Sequence, residues 1–246
     1  MIAPRFSGLA KIRASIAKRY NVFCHSGYSV ESAYGCKFLI DWEHPVDKKL
    51  AYQMFEHDRI EYFLKQVDAL KPDRFLDIGA HSGLYSILVN SRLPSTKIHA
   101  FEPDPTNRDQ LHANLFLNRL SSRVEVHPFG LSDSQQTLHF ASSTEQRHRA
   151  FSKISETGHV TIEVRPLDDV IPPENQTIAI KIDVEGHELP ALRGAEQVLS
   201  RNSCFLQIES SETNFPGVRG YLEAIGYQWI TSKGDHYFSN LPEGTA

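Results

Sequence analysis

From residue 74 onward the chain alternates short apolar runs with amphipathic stretches, and that rhythm permits few folds. Arg74–Ile78, Lys97–Phe101, Val124–Phe129, Ile178–Asp183 and Cys204–Glu209 read as strands. Leu84–Arg92, Pro105–Asn118, Glu188–Ser200 and Pro216–Ile225 read as the helices that connect or follow them. Strands joined through helices must lie parallel, so the pattern predicts an α/β domain with helices on both faces of a mostly parallel sheet. Tyr227–Thr231 and His236–Phe238 would close it as an antiparallel pair. Between 135 and 165 the rhythm breaks, and Thr137–Phe140 with Val160–Val164 reads as a hairpin insert. The first 70 residues read as a cap-like extension, with a strand at Cys36–Trp42 and helix over Lys48–Leu70, broken near His57. Two regions are therefore expected, 1–70 and 71–246. In such sheets ligands bind beyond the carboxyl ends of the strands, which here means near Gly79, Glu102, Gly130, Asp183 and Glu209.

Charge narrows the partners. The 26 Lys and Arg against 30 Asp and Glu leave a net charge of -4, with no basic field to hold a nucleic-acid backbone. Cys24, Cys36 and Cys204 are scattered, without metal or disulfide spacing, as expected of a reducing, cytoplasmic setting. Residues 1–30 contain no Asp or Glu, and Phe6, Leu9, Ile12 and Ile16 recur at helical spacing among Arg5, Lys11, Arg13, Lys18 and Arg19. Such a helix over residues 1–20 can pack on the domain or lie against an anionic membrane.

Three strand ends carry the chemistry. The first is Phe75-Leu76-Asp77-Ile78-Gly79-Ala80-His81-Ser82-Gly83-Leu84-Tyr85-Ser86, a strand, a glycine turn and a helix start. Its G-x-x-x-G spacing differs from the G-x-G-x-x-G of dinucleotide sites. Asp77 would repel a pyrophosphate but suits a ligand carrying an ammonium or sulfonium. The second is His99-Ala100-Phe101-Glu102-Pro103, about 20 residues on, where an acid grips a ribose diol. The third is Ile180-Lys181-Ile182-Asp183-Val184-Glu185-Gly186-His187-Glu188. Crowded carboxylates repel one another, so Asp183 and Glu185 point to ligand or base chemistry, whereas Glu188 fits a helix cap. Glu209, ending Phe205-Leu206-Gln207-Ile208, is a further candidate.

The runs FLDIGAHSGLYS, HAFEPDP with Asn114 and Asn118, GLSD at 130–133, PLDD at 166–169, IKIDVEGHELPALRGA and LQIES together resemble the FkbM family of methyltransferases. The likeness covers roughly residues 50–210. It implies a Rossmann-like class I methyltransferase fold of seven strands, the last antiparallel, with S-adenosylmethionine as donor and mostly O-methylation. Carried over position by position, Asp77, Gly79, Ala80, His81 and Gly83, with Ser82 and Tyr85, would line the methionine and ribose end of the cofactor. Glu102 and Pro103 would take the ribose, Leu131, Ser132 and Asp133 would flank the adenine, and Asp183 would face the methyl. His81 stands where family members most often carry Asn.

A hydroxyl acceptor needs its proton removed, so a general base or a bound cation is expected. Asp183 and Glu209 can serve as base or as ligands of Mg²⁺, and His187 is a second base candidate. The expected acceptor is a small molecule: a glycan, a lipid-linked sugar or a secondary metabolite. The basic Arg147, His148, Arg149 and Lys153 of the insert suit a polar or anionic acceptor. Two alternatives stay open on the residues alone: an NAD-dependent Rossmann oxidoreductase or epimerase, and an inactive methyltransferase-like binding module.

Overall fold

A computed structural model describes residues 27–141, 153–154, 160–172 and 174–242. The basic segment over 1–20, Cys24 and the cluster Arg147, His148 and Arg149 lie outside the described residues, as does the Lys153 side chain. The chain divides between His57 and Asp58 into two compact units. The helix expected at the end of the extension, from Asp58 on, therefore belongs with the larger unit. The reason is packing: Phe63 touches the rings of Phe75, Tyr85 and Phe205, all deep in that unit.

Among its described residues the smaller unit begins with a hairpin, β1 (Tyr28–Ala33) and β2 (Cys36–Asp41), absent from the sequence reading except for its second strand. Tyr34 and Gly35 both take positive φ, 53° and 79°. A two-residue turn with that pair of dihedrals matches the right-handed twist of the strands. Helix α1 (Pro45–Ala51) follows, with proline in its first turn. The chain then breaks through left-handed Gln53 and Glu56 before α2 (His57–Leu70).

In the larger unit the order is β3 (Arg74–Ile78), α3 (Leu84–Arg92), β4 (Lys97–Phe101), α4 (Pro105–Leu117) and β5 (Val124–His127). Then come β6 (Gly130–Leu131), β7 (Gln136–Ala141), β8 (Lys153–Ile154) and β9 (Val160–Arg165). The chain finishes with β10 (Thr177–Ile182), α5 (Glu188–Arg193), α6 (Glu196–Arg201), β11 (Ser203–Ile208), α7 (Phe215–Ala224), β12 (Gln228–Lys233) and β13 (Asp235–Ser239). Among the described residues, the central sheet has seven strands in the order β12-β13-β11-β10-β3-β4-β5. The five core strands run parallel, while β13 is antiparallel to both β11 and β12. The expected hairpin is β7 with β9, and it forms a separate sheet with β6 and β8.

Two differences from the sequence reading have structural causes. The third strand stops at His127, not Phe129, because the chain leaves the central sheet to pair β6 with β9. The helix expected over Glu188–Ser200 is two short ones, with Gly194 between them. A side chain at Gly194 would overlap the carbonyl oxygen of Ser132, so the close passage of the Ser132 segment requires glycine there. The core fills both sides of the sheet. One face carries Leu76, Ile78, Ile180, Ile182 and Leu206 against Leu192, Val198 and Leu222. The other carries Phe75 and Phe205 against Phe63. Among the described residues no helix is long and apolar enough to cross a membrane.

Candidate active site

Strand register builds the site. Ile208, Ile182, Ile78, Phe101 and His127 pair side by side across β11, β10, β3, β4 and β5. The next residue of the first four strands therefore lies in a second row along the carboxyl edge: Glu209, Asp183, Gly79 and Glu102. Backbone bonds stitch this row. Glu209 N–H donates to Ile182, Asp183 N–H to Ile78, Gly79 and Ala80 N–H to Phe101, and Glu102 N–H to His127, all at 2.9–3.1 Å. Neighbouring strands lie about 4.8 Å apart, so Asp183 and Glu209 are adjacent while Glu102 lies about 10 Å from Asp183 with Gly79 between.

The loop after β3 is shaped by close approach. At Gly79, with φ at 80°, a side chain would overlap the carbonyl oxygen of Asp183, and at Gly83 it would strike Leu111. His81 between them also has positive φ, 49°. Asn, Asp and His are the side chains most tolerant of that region, which accounts for His standing where the family favours Asn. The His81 contribution is its backbone: the N–H donates to Glu102 Oε2 at 2.8 Å. The other Glu102 oxygen accepts from Asp104 N–H at 2.8 Å. Glu102 is buried, and burial pushes its carboxyl up to about 7 despite the hydrogen bonds from Asp104, His81 and Asn107. Asp104 itself caps α4 through Thr106 N–H and Asn107 N–H.

At the end of β10 an interior lysine governs the acids. Lys181 is 4% exposed in an otherwise apolar strand, and its Nζ donates to Asp183 Oδ2 at 2.9 Å. Burial opposes its charge, but Asp183, Tyr85, Asp77 and Asp235 outweigh that and hold its pKa well above the ordinary value. The ammonium also lies 4.9 Å over the Tyr85 ring. Behind it Gln207 bonds Tyr85 and Asp235, and Arg59 bridges Asp235 at 2.9 Å and Glu209 at 3.5 Å. Asp183 keeps 28% of its side chain exposed and Glu209 40%, so both face solvent while their cations lie further in.

The turn after Asp183 is left-handed at Glu185 and Gly186. Glu188 is buried in the first turn of α5, accepts from Gly186 N–H at 2.6 Å and meets Asn214 at 3.3 Å, so its carboxylate is held within the turn. His187 is half-buried, and its Nε2 lies 3.0 Å from Ser132 Oγ. Burial lowers its pKa, opposed by Asp133. His187 is thus joined to the GLSD segment.

The expected site residues divide into two sets. Gly79, His81, Pro103, Asp183, His187 and Glu209 are partly exposed, and Asp133 is exposed. Asp77, Ala80, Ser82, Gly83, Tyr85, Glu102, Leu131 and Ser132 are buried. Asp77 does not reach the surface: its Oδ2 accepts from both N–H and Oγ of Ser86, which locks β3 to α3, and burial raises its pKa. Tyr85 is spent on Lys181 and Gln207. Lys181, Arg59 and Asp235 were missed as site residues. A charged residue between Ile180 and Ile182, in a strand buried on both faces, was the available signal for Lys181; no local signal marks the other two.

The strand order, with one antiparallel strand next to the end, and an acid-bearing carboxyl edge define a class I methyltransferase fold. The chain belongs to the FkbM methyltransferase family: the model of the methyltransferase FkbM domain matches residues 77–229. Methyltransferase sdnD of Sordaria araneosa is 31% identical over 186 residues, covering 61% of this chain and 70% of that protein. The hexuronic acid methyltransferase AglP of Haloferax volcanii is 29% identical over 149 residues, covering 58% of each chain. The crystal structure of methyltransferase FkbM from Methylobacillus flagellatus superimposes with a TM-score of 0.50 at 18% identity, covering 94% of this chain and 60% of that one. Family membership sets aside the oxidoreductase alternative.

Proposed function

We propose that this methyltransferase moves a methyl group from S-adenosylmethionine to a hydroxyl oxygen of a small polar acceptor, such as a sugar or a natural product. The observation that carries this reading is the row Glu209, Asp183, Gly79, Glu102 at one sheet edge. A ribose-gripping acid and a candidate base thereby flank a glycine turn that leaves room for a ligand. The relative named for a hexuronic acid is the support for a sugar-like acceptor.

The residues fit the cofactor. Glu102, clasped by two backbone amides, retains acceptor capacity for a ribose hydroxyl, since a carboxylate offers about four lone-pair sites. Ser132 and Asp133 would flank the adenine, and the contact of His187 with Ser132 makes His187 a positioning residue for that segment. Bound S-adenosylmethionine supplies a methyl group already activated on a sulfonium, so the protein's own task is placement and proton handling. Asp183 takes the acceptor proton: Lys181 holds Oδ2 and leaves Oδ1 to receive the hydroxyl. Glu209, one strand over and tethered by Arg59, orients the acceptor. The Asp183–Glu209 pair suits Mg²⁺ poorly, because a hard cation would have to displace the ammonium and guanidinium already seated on the two carboxylates.

Calorimetry with S-adenosylhomocysteine, followed by methyl transfer to a panel of uronic acids and glycosides, tests the reading. Binding with turnover on a hydroxyl acceptor is expected. Absence of nucleoside binding would sink it, and binding without turnover on any acceptor would favour the inactive-module alternative.

A further inference from the structure

Away from the carboxyl-edge acids, three side chains on one face of β4 and β5 form a compact donor set. His99 pairs opposite Glu125, and His127 is two residues further along β5. A strand's period of two turns both side chains of Glu125-Val126-His127 to the same face as His99. His99 Nδ1 lies 3.2 Å from His127 Nε2 and 3.4 Å from Glu125 Oε2, and His127 Nε2 lies 3.8 Å from Glu125 Oε1. Tetrahedral zinc, with Zn–N and Zn–O near 2.0–2.2 Å, sets neighbouring ligand atoms about 3.3 Å apart. The His99–His127 and His99–Glu125 separations match that value, and the 3.8 Å to the other carboxylate oxygen asks only for a turn of the exposed Glu125 side chain.

We infer that His99, Glu125 and His127 bind one zinc-type divalent transition metal, with water as the fourth ligand. Two imidazoles and a carboxylate are the donor types such an ion prefers. The entry path is open, because β5 is the outermost strand and the Glu125 side chain is 66% exposed. The imidazoles are held in place: His127 stacks on Phe101 at 4.5 Å and His99 on His127 at 5.5 Å. Two contacts oppose loading, and the first is the hydrogen bond between His99 Nδ1 and His127 Nε2, which the ion would replace. Arg74, anchored by Glu174 and Gln176, lies 3.3 Å from His99 Nε2, and ligation through Nδ1 places the ring proton on that nitrogen. Loading would then set two donors face to face, so the guanidinium must turn away toward Glu174 and Gln176 for the ion to bind. The ion would pin β5 to β4 beside Glu102, whose N–H donates to the carbonyl of His127.

The test is calorimetric titration of the chelator-stripped full chain with Zn²⁺, paired with the visible spectrum after Co²⁺ addition and with thermal unfolding. One equivalent bound at micromolar affinity or tighter, a tetrahedral Co²⁺ spectrum and a raised Tm are expected. Glu125→Gln, at an exposed position that leaves the core intact, should weaken binding by about tenfold or more, and His127→Ala should abolish the Co²⁺ spectrum. No binding by the wild type, or binding unchanged in Glu125→Gln, would overturn the assignment.

Discussion

Glu102 and Asp183 end two strands of one sheet with β3 between them, yet their surroundings differ in kind. Glu102 is enclosed: two backbone amides hold its oxygens, among the described residues no cation is bonded to them, and burial raises its carboxyl to about 7. Asp183 is open on one side and fixed from within by the buried ammonium of Lys181. A carboxylate without a cation is stabilised further by hydroxyl donors, as a ribose diol would provide. A carboxylate anchored through one oxygen and exposed at the other can exchange a proton with an acceptor. The same residue class thus serves holding at one strand end and chemistry at the other, and environment makes the division.

The strongest way to break this comparison is Asp183→Asn. Turnover should fall about 10²- to 10⁴-fold while S-adenosylhomocysteine affinity, read by calorimetry, stays within about threefold. Equal losses in both would merge the two roles. Gly79→Ala attacks the backbone that separates the two acids. A Cβ there would overlap the Asp183 carbonyl at a φ of 80°, and urea unfolding should show a loss of about 3 kcal/mol. Glu102→Gln should act on the other side, because its amide NH₂ must face one of the two backbone donors. Affinity for S-adenosylhomocysteine should drop about ten- to a hundredfold, and turnover at saturating donor should change far less.

The mildest effect is the pH dependence of Glu102. A proton on its carboxyl competes with ligand hydroxyls, so wild-type affinity should rise by up to about tenfold from pH 6 to pH 8, and the Glu102→Gln profile should be flat. Stability runs the opposite way. A carboxyl raised in the folded state contributes stability that is full below its unfolded value near 4.5 and is lost as pH rises through about 7. His99, lowered to about 4, contributes with the reverse sign, gaining stability as pH rises from about 4 to 6.5. Only the difference between wild type and Glu102→Gln, followed by Tm across pH 4–8, isolates the Glu102 contribution.

Much of this was legible in the chain. The alternation of strand and helix patterns, the glycine turn after Asp77 and the acids at 102, 183 and 209 are local signals, each arising within a few residues. They located five core strands, the β7–β9 hairpin and the residues that end up in one row. The Tyr34-Gly35 hairpin escaped because Tyr is an unusual residue at positive φ. The split of Glu188–Ser200 escaped because its cause, the passage of the Ser132 carbonyl at Gly194, lies far away in sequence.

Residue order by itself determined the layered sheet, the family and the types of side chain available at each strand end, since periodicity and turn chemistry depend on neighbours along the chain. Tertiary structure alone decided which groups meet. It buried Asp77 and Tyr85, bridged Arg59 to Glu209, joined His187 to Ser132 and brought His99 opposite Glu125. Those pairings come from strand register and close packing, which act between segments 20 to 150 residues apart, and no local pattern carries that information.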